Sequence, residues 1–449
     1  TDFMLGFLRD NRSKLPAEVQ LAFLVNEPKR NNDQKKRVID NQSKLDAELN
    51  AALPADLKKK ITAHESTIAK LRKETPDMPQ GYFLHEPSPK APETRLLKRG
   101  NPKTPGEVME PAVPVILTGR AVGFLAPTKH TTRRRFTLAR WMTRPDNPLT
   151  SRVTVNRFWQ QFFGTGLVKT SEDFGIQGEL PSHPELLDWL ARHFIESGWD
   201  VKGLVKTLVP SRTYMQSAKV HPAAQEVDPY NRLLARGPRF RLDGEMLRDT
   251  ALFLSDSLIE NRGGPSVKPY QPVGVWKAVG YSGSNTVKYT QDQGEALYRR
   301  SIYTFWKRTA PPPNMVAFDA PSRESCTVRR SRTNTPLQAL ALLNDVQMVE
   351  AARRLAQRIL SEGEGDVAAR ANGGFRWVTS REPTANEQAI LLQVIESQLD
   401  LFKDQEEQAK LLIGMGNTPP PATLDARELA AWTHFSLLLL NLDEVITRG

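Results

Sequence analysis

The sequence predicts a mainly α protein: a multi-helix globular domain with a minor β-sheet and an N-terminal helical hairpin. Three observations support this fold class. Long segments with apolar residues three and four positions apart outnumber strand-like segments. Several of these segments begin with residues that cap helices. The 33 Pro residues among 449 exceed the usual share and indicate long loops between helices.

The length suits two or three domains. Changes in composition divide the chain into a helical hairpin or connector (1–75), a Pro-rich linker with short strands (76–130) and a mainly helical core domain (131–449). No apolar run approaches the ~18 residues of a membrane helix, so no transmembrane segment is predicted. The single Cys excludes an intrachain disulfide, a multi-Cys zinc site and covalently attached haem within this chain. No nucleotide-binding or metalloprotease motif is present, and we expect neither cofactor nor metal.

The N-terminal hairpin is predicted from two thinly amphipathic segments. Asn31–Leu53 is the first arm. Pro54 lies where a second helix would begin, a position at which its missing N–H costs nothing. Apolar residues continue along the second arm at helical spacing, namely Leu57, Ile61, Ile68 and Leu71. The hairpin would serve as a stalk, or as a contact through which the chain forms an oligomer.

In the linker, Tyr82–His85 is predicted to form a short strand that pairs with Thr94–Lys98 and Val113–Leu117. Later helices are expected at Thr132–Met142, Leu149–Phe163, Val201–Val209, Leu242–Ile259, Glu387–Leu412 and Ala426–Glu444. Ser301–Trp306 is rich in β-branched and aromatic residues and is predicted to be a buried strand, and Ser361–Gly374 a flexible loop.

Two segments match the pattern of a capping box, in which the first and fourth residues satisfy each other's backbone donors. One is Ser182–Glu185, which would open a helix ending at Gly198. The other is Thr335–Gln338, which would open a long helix to about Leu360. That helix is apolar nearly all round, so we expect it at the centre of the core.

The net charge of +11 comes almost entirely from one segment. Residues 95–157, the basic belt, hold thirteen Lys and Arg against three acidic residues, a net of +10. Such a belt attracts polyanions, or else packs against acidic segments. Its aromatic residues Phe136, Trp141, Phe158 and Trp159 look more like core than like an exposed nucleic-acid surface.

Three isolated features carry weak functional signals. His183 lies at a predicted helix start and is a minor catalytic candidate. Glu245 and Asp249 are one helical turn apart, and the arginines around them favour a salt-bridge network over acid–base chemistry. Cys326 lies near arginines that would lower a thiol pKa, yet no His is adjacent, so we predict a shielded, structural thiol.

The densest polar segment is residues 318–340, where an arginine-rich loop leads into the helix predicted at Thr335. Cations at a helix N-terminus are unfavourable, so the arginines there need a counterion. Either Asp319 and Glu324 fold back to neutralise Arg329, Arg330 and Arg332, or the loop holds an external anion. The candidate binding residues are Arg323, Arg329, Arg330, Arg332, Asn334, Asn156 and Arg157, and the weak catalytic candidates are Asp319, Glu324 and His183.

Several ordered segments resemble a planctomycete-type family of unknown function. The carriers are Arg99-Gly100 with Pro105-Gly106-Glu107, Asn147-Pro148-Leu149, Asn156-Arg157-Phe158-Trp159, Phe163-Gly164-Thr165-Gly166-Leu167-Val168, Asp173-Phe174-Gly175, Pro181–Leu190, Gly264–Val267, Tyr270-Gln271-Pro272 and Phe318–Asp345. In this family the domain follows a cytochrome-c-like domain and a second uncharacterised domain in large surface proteins. The resemblance runs from about Thr94 to the C-terminus. It implies an exported protein of the periplasm or cell surface, and it implies no activity.

Three functions therefore stay open. The first is a cell-envelope module that binds a protein partner or an anionic glycan. The second is a polysaccharide-active enzyme with its site in the Asp319–Thr335 loop. The third is polyanion or nucleic-acid binding through the basic belt. Whether the chain is an enzyme is left undecided by the sequence.

Overall fold

The structure is a computed structural model that describes residues 2–75, 84–86, 88–119 and 121–448. Within these residues the chain forms twenty α-helices and two small antiparallel sheets, so the predicted mainly α class with a minor sheet is confirmed. The chain divides into two compact units, Thr1–Pro87 and Ser88–Gly449. The three-part division predicted from composition stays a prediction.

The first unit consists of α1 (Asp2–Arg9), α2 (Ala17–Leu24), α3 (Asn32–Ala52) and α4 (Ala55–Glu74). A capping box opens α3, because the Asn31 side chain accepts from the Gln34 N–H while the Gln34 side chain accepts from the Asn31 N–H. Leu45 of α3 is fully buried in a small core with residues of α2. The two helical arms joined at Pro54 are thus present as predicted, and every side chain of α4 is exposed.

The second unit carries the remaining elements. Its helices are α5 (Arg134–Met142), α6 (Thr150–Phe163), α7 (Pro184–Glu196), α8 (Val201–Leu208), α9 (Arg212–Met215), α10 (Pro222–Val227), α11 (Gly244–Leu254), α12 (Val275–Val279), α13 (Pro313–Val316), α14 (Pro336–Asn344), α15 (Val346–Glu362), α16 (Val367–Thr379), α17 (Ala385–Phe402), α18 (Glu406–Ile413), α19 (Ala426–Leu440) and α20 (Asp443–Ile446). Its strands are β1 (Arg95–Leu97), β2 (Pro105–Val108), β3 (Phe240–Arg241) and β4 (Thr447–Arg448).

Two large hydrophobic clusters organise the described residues of this unit, beside a small third one formed by Leu252, Leu297 and Tyr298. The larger of the two surrounds α15 and α19, where Leu355, Trp432 and Phe435 are completely buried, and it includes α11 and α16–α18. The smaller of the two joins α6, α7 and α8 around Val155 and Leu190. The functional site described below lies where α6 approaches α11.

The predicted central helix is interrupted. Asp345 adopts an extended conformation, and its side chain accepts from the Gln347 N–H, so one helix ends and another begins there. Only α15 is central, whereas Leu337 and Leu340 of α14 are more than half exposed. The prediction that the whole apolar segment is core was wrong, because an internal cap breaks its periodicity.

Three further local predictions were wrong. Ser361–Gly374 is not a loop throughout, since Asp366 caps α16 inside it. Ser301–Trp306 begins as a 3-10 turn, and its only strand-like feature is a bridge from Thr304 to Val267. β1 pairs with β2, and the predicted partner segment 113–117 contains a 3-10 turn instead. Of the strand predicted at 82–85, residues 82 and 83 lie outside the described residues.

The Ser182 capping box also does not form. His183 is the N-cap of α7 and makes no side-chain cap. The Ser182 N–H donates to the Leu167 carbonyl at 2.9 Å, and its hydroxyl reaches the same oxygen at 3.4 Å. Ser182 is therefore used to hold the 164–168 turn rather than the helix start. None of the helices in the described part of the chain is long and apolar enough to cross a membrane.

Replacing Leu45 with Ala should destabilise the first unit by about 2–5 kcal/mol, because it removes a fully buried side chain and leaves a cavity. Ile39→Ala is the matched control, since Ile39 lies on the same helix and is 75% exposed. All eight Trp residues lie between 141 and 432, so Trp fluorescence reports on the second unit alone. Urea unfolding followed by far-UV circular dichroism should show an early transition in L45A, with the fluorescence transition unchanged. An unchanged circular-dichroism curve would contradict this packing.

Candidate functional site

The 318–335 loop connects α13 to α14 and is held at its base by one carboxylate. Asp319 accepts from the Thr333 N–H at 2.8 Å and from the Thr333 hydroxyl at 2.9 Å. Gln338 donates to the same hydroxyl at 3.0 Å and accepts from Arg241 at 2.5 Å. Near the middle of the loop, Gln160 of α6 donates to the Val328 carbonyl at 3.2 Å. These contacts tie the loop to α6 and β3.

A polar cleft of about 480 Å³ lies between this loop and α11, and we call it the mixed-charge cleft. Its charged lining residues are Asp243, Glu245, Asp249, Arg300, Arg323, Arg330 and Arg332. Arg330 donates twice to the Glu245 carboxylate, at 2.7 and 3.1 Å, and lies 3.6 Å from Asp243. Burial opposes ionisation of Glu245, yet the hydrogen bonds from Arg330 hold the pKa of that carboxyl below its usual value.

The other charges of the mixed-charge cleft also have internal partners. Asp249 accepts from the Ser301 N–H at 2.8 Å and lies 3.5 Å from Arg300. The Arg323 guanidinium stacks on the Trp306 ring at 4.2 Å from its centroid. The salt-bridge network predicted around Glu245 and Asp249 is therefore present, although its arginines come mostly from distant segments.

The loop arginines have different counterions from those predicted. Arg330 pairs with Glu245 and Asp243 of the α11 segment, and Arg329 lies 3.8 Å from Glu172. Glu324 is 3.4 Å from Arg308. The expectation that Asp319 and Glu324 neutralise these arginines was wrong, because both acids have partners elsewhere.

A second cavity, of about 370 Å³, lies beside the first and shares Arg332 with it; we call it the arginine pocket. Four arginines line it, namely Arg232, Arg236, Arg239 and Arg332, and no acidic side chain is among its lining residues in the described chain. Sequence reasoning did not select Arg232 and Arg236. The sequence feature that could have indicated these two residues is their proximity to each other between Pro229 and Pro238, outside any predicted helix.

Three of the four pocket arginines are fixed by backbone carbonyls. Arg232 donates to the Gly166 and Leu167 carbonyls at 2.8 and 3.0 Å. Arg236 donates to the Asp228 and Pro229 carbonyls. Arg332 donates to the Gly164 carbonyl at 3.1 Å and stacks on Phe240 at 4.0 Å from the ring centroid. The fourth, Arg239, forms an ion pair with Asp443.

One wall of the arginine pocket is the turn that ends α6. Gly164 has φ +81°, and a Cβ there would lie 2.9 Å from the Phe240 ring. A Cβ on Gly166 would lie 2.6 Å from the Asn156 side-chain nitrogen. Asn156 is completely buried, accepts from the Val168 N–H at 2.8 Å and donates to the Val168 carbonyl at 2.9 Å. Asn156 therefore shapes the pocket from behind and does not reach its interior.

The remaining predicted site residues lie apart from both cavities. Arg157 and Asn334 are exposed and line neither of them. The His183 ring contacts the neighbouring Ser182 hydroxyl at 3.0 Å. Cys326 is exposed, so the prediction of a shielded thiol was wrong. No group of three or more His, Cys, Asp or Glu side chains in the described residues is placed to hold a metal ion.

The basic belt is partly neutralised by nearby acids. Arg134 lies 3.6 Å from Glu110, and Arg152 lies 2.6 Å from Asp188. Trp159 is buried as predicted, but Phe136 is 52% exposed. The guanidinium groups of Arg133 and Arg140 lie 5.9 and 5.7 Å from the Phe136 ring centroid. The prediction that Phe136 belongs to the core was wrong.

Fold and site together define a mainly helical protein with two neighbouring arginine-lined cavities. The chain belongs to the family described as PSD1, protein of unknown function (DUF1553), whose sequence model matches residues 134–395. This match confirms the predicted kinship with a family of unknown function, and it spans every residue that lines the two cavities. No curated protein and no solved structure matches the chain. The planctomycete context and the neighbouring domains stay predictions.

Replacing Arg330 with Ala should lower the free energy of unfolding by about 1–3 kcal/mol, because Glu245 and Asp243 would lose their shared cation in a half-buried site. Arg329→Ala is the matched control. Its contact with Glu172 is longer and half exposed, so the change should stay within about 0.5 kcal/mol. Urea unfolding followed by Trp fluorescence measures both. Equal effects of the two substitutions would contradict the assigned ion pair.

The lowered pKa of Glu245 also predicts a pH dependence. Its ordinary value is 4.5, so below that pH the unfolded chain takes up the proton first and the folded state loses stability as pH falls through the depressed pKa. Between about pH 5 and pH 3, wild type should therefore lose more stability than Glu245→Gln. In an R330A background, E245Q should change this slope much less. Parallel pH profiles of wild type and E245Q would show that the pair is not formed.

Proposed function

We propose that the second unit binds an anionic saccharide in the arginine pocket. The observation that carries this proposal is the convergence of Arg232, Arg236, Arg239 and Arg332 in a lining without carboxylates. A carbonyl acceptor fixes a guanidinium without cancelling its charge. Among the described residues, Arg239 is the only pocket arginine within ion-pair distance of a carboxylate, and Arg332 is influenced at longer range by Asp243. With four arginines and two such acids nearby, the pocket keeps a positive potential that favours an anion.

The geometry also leaves donors for a ligand. A guanidinium has five N–H donors in a planar fork, which matches carboxylate and sulfate groups in a bidentate manner. Arg232 uses two nitrogens for its carbonyl contacts, and Arg332 uses one. Each therefore retains N–H groups beyond those contacts. Fixing the arginines in advance lowers the entropy lost on binding.

The aromatic residues favour a saccharide over a small inorganic anion. Tyr230, which lines the arginine pocket, is 85% exposed, and the half-buried Phe240 adds apolar surface to the same lining. An aromatic face packs against the C–H face of a sugar ring, while the arginines bind its acidic group. A volume of about 370 Å³ lies at the lower end for ligand pockets and accommodates roughly one or two sugar rings.

The enzyme alternative has less support from the geometry. A glycosidase needs one carboxylic acid that is protonated at working pH. In the mixed-charge cleft the pKa of Glu245 is held below its usual value, so this residue is ionised at neutral pH. Asp249 is occupied by Ser301 and Arg300. Location at the cell envelope and binding of an envelope protein are retained as proposals that rest on the family resemblance alone.

Binding of a sulfated or uronate oligosaccharide should weaken when the pocket is altered. Arg332→Gln and Tyr230→Ala should each reduce the affinity for a heparin-derived or galacturonate tetrasaccharide about tenfold or more, because each removes a central contact. A neutral glucose tetrasaccharide should bind neither wild type nor variants measurably. Isothermal titration calorimetry measures the loss of affinity in the variants and the preference for an acidic over a neutral saccharide. Measured at about 0.05 and 0.2 M salt, the affinity for the acidic saccharide should fall as the salt concentration rises.

Two matched controls distinguish binding in the arginine pocket from attraction of the saccharide by positive charge elsewhere on the surface. Arg192→Gln removes the same charge from an arginine that is largely exposed on α7, and it should leave the affinity unchanged. Arg140→Gln alters the basic belt beside the exposed Phe136. If R140Q weakens binding while R332Q does not, the belt is the polyanion site and the pocket proposal fails. Absence of binding to any acidic saccharide would also overturn it.

A further inference from the structure

Helix α4 carries an apolar stripe that none of the described residues of its own unit buries. Its large aliphatic residues Leu57, Ile61, Ile68 and Leu71 are between 38% and 56% exposed. No residue of α4 is buried, although the neighbouring α3 buries Leu45. A helix of 20 residues with one apolar face normally packs that face against a partner.

The spacing of the stripe is that of a coiled coil. With His64 included, the stripe advances by four, three, four and three residues from Leu57 to Leu71. In heptad positions, Ile61 and Ile68 are a residues, while Leu57, His64 and Leu71 are d residues. This period of 3.5 residues keeps the stripe facing a second helix along its whole length. The face opposite the stripe is polar or small, as shown by Lys59, Thr62, Ser66, Ala69, Lys70 and Lys73.

The charges beside the stripe complement a second copy of the same helix. Lys60 occupies a g position, and Glu65 is the e position five residues further on. In a parallel pair of identical helices, g of one chain lies beside this e of the other, so Lys60 meets Glu65 twice by symmetry. Neither side chain forms an ion pair within the described residues.

We propose that α4 pairs with α4 of a second copy of this chain as a parallel two-stranded coiled coil. Ile at a combined with Leu at d is the arrangement that favours two parallel strands. His64 in the central d layer is a polar residue that fixes the register at a cost in affinity. This proposal does not depend on the proposed saccharide binding, since it concerns the first unit alone.

Sedimentation equilibrium of the 449-residue chain tests the pairing. The chain should form dimers as its concentration rises. Ile61→Lys should raise the dimer dissociation constant by about tenfold or more, because it places two like charges in an apolar layer. His64→Leu should lower that constant. The matched control is Ile39→Lys, since Ile39 is 75% exposed on α3 and lies outside the stripe.

Orientation is tested by a disulfide in a C326S background, which removes the native thiol. A parallel pair places Leu71 beside Leu71 of the second copy, so Leu71→Cys should give a covalent dimer under mild oxidation. An antiparallel pair would separate the two cysteines by several helical turns. A chain that stays monomeric, a dimer that I61K leaves intact, or a dimer that L71C does not link would each overturn the proposal. Far-UV circular dichroism confirms that I61K keeps its helices.

Discussion

One buried guanidinium holds together the elements on which the site is built. Arg248 of α11 is 5% exposed and donates to the Leu297 carbonyl, the Arg299 carbonyl, the Ser301 hydroxyl and the Gln347 side chain. Burial lowers its pKa to about 10, which leaves it charged at neutral pH. Because a buried cation without acceptors is strongly unfavourable, these four bonds force α11, the 297–301 segment and α15 into one arrangement. The outer face of the same helix then presents Glu245 and Asp249 to the mixed-charge cleft.

The two cavities show that the kind of hydrogen-bond acceptor bound by an arginine determines whether its positive charge remains available to a ligand. In the mixed-charge cleft, carboxylates meet Arg330 and Arg300, so the local charge is largely cancelled. In the arginine pocket, carbonyl oxygens hold Arg232 and Arg236, and the positive charge is kept. A carbonyl dipole orients a guanidinium but supplies no unit charge to oppose an incoming anion. Arginine side chains therefore stabilise the fold in the mixed-charge cleft, whereas in the arginine pocket they are suited to binding a ligand.

Periodicity predicted most helices, because each helix depends on residues a few positions apart. Some errors came from local caps, as at Asp345 and Asp366. Others arose where a group distant in sequence forms the hydrogen bond or ion pair that the local pattern assigns to a neighbouring residue. Ser182 matches a capping box, but the Leu167 carbonyl takes its hydrogen bonds. Ser301–Trp306 matches a strand pattern, but it begins as a 3-10 turn whose first residue, Ser301, accepts from the distant Arg248 through its hydroxyl. Likewise, the counterion of Arg330 lies 85 residues away, and no sequence pattern relates Arg330 to Glu245.

The position of Asn156 shows why motif residues need not touch a ligand. Its side chain bonds both polar groups of the Val168 backbone, as a neighbouring strand would, and thereby fixes the turn after α6. Only Gly fits at 166, because the amide of Asn156 fills the space of a Cβ. The Gly166 carbonyl then points at Arg232 and orients it within the arginine pocket. The contribution of Asn156 to binding is therefore indirect: it sets the direction of a carbonyl, and that carbonyl sets the direction of an arginine.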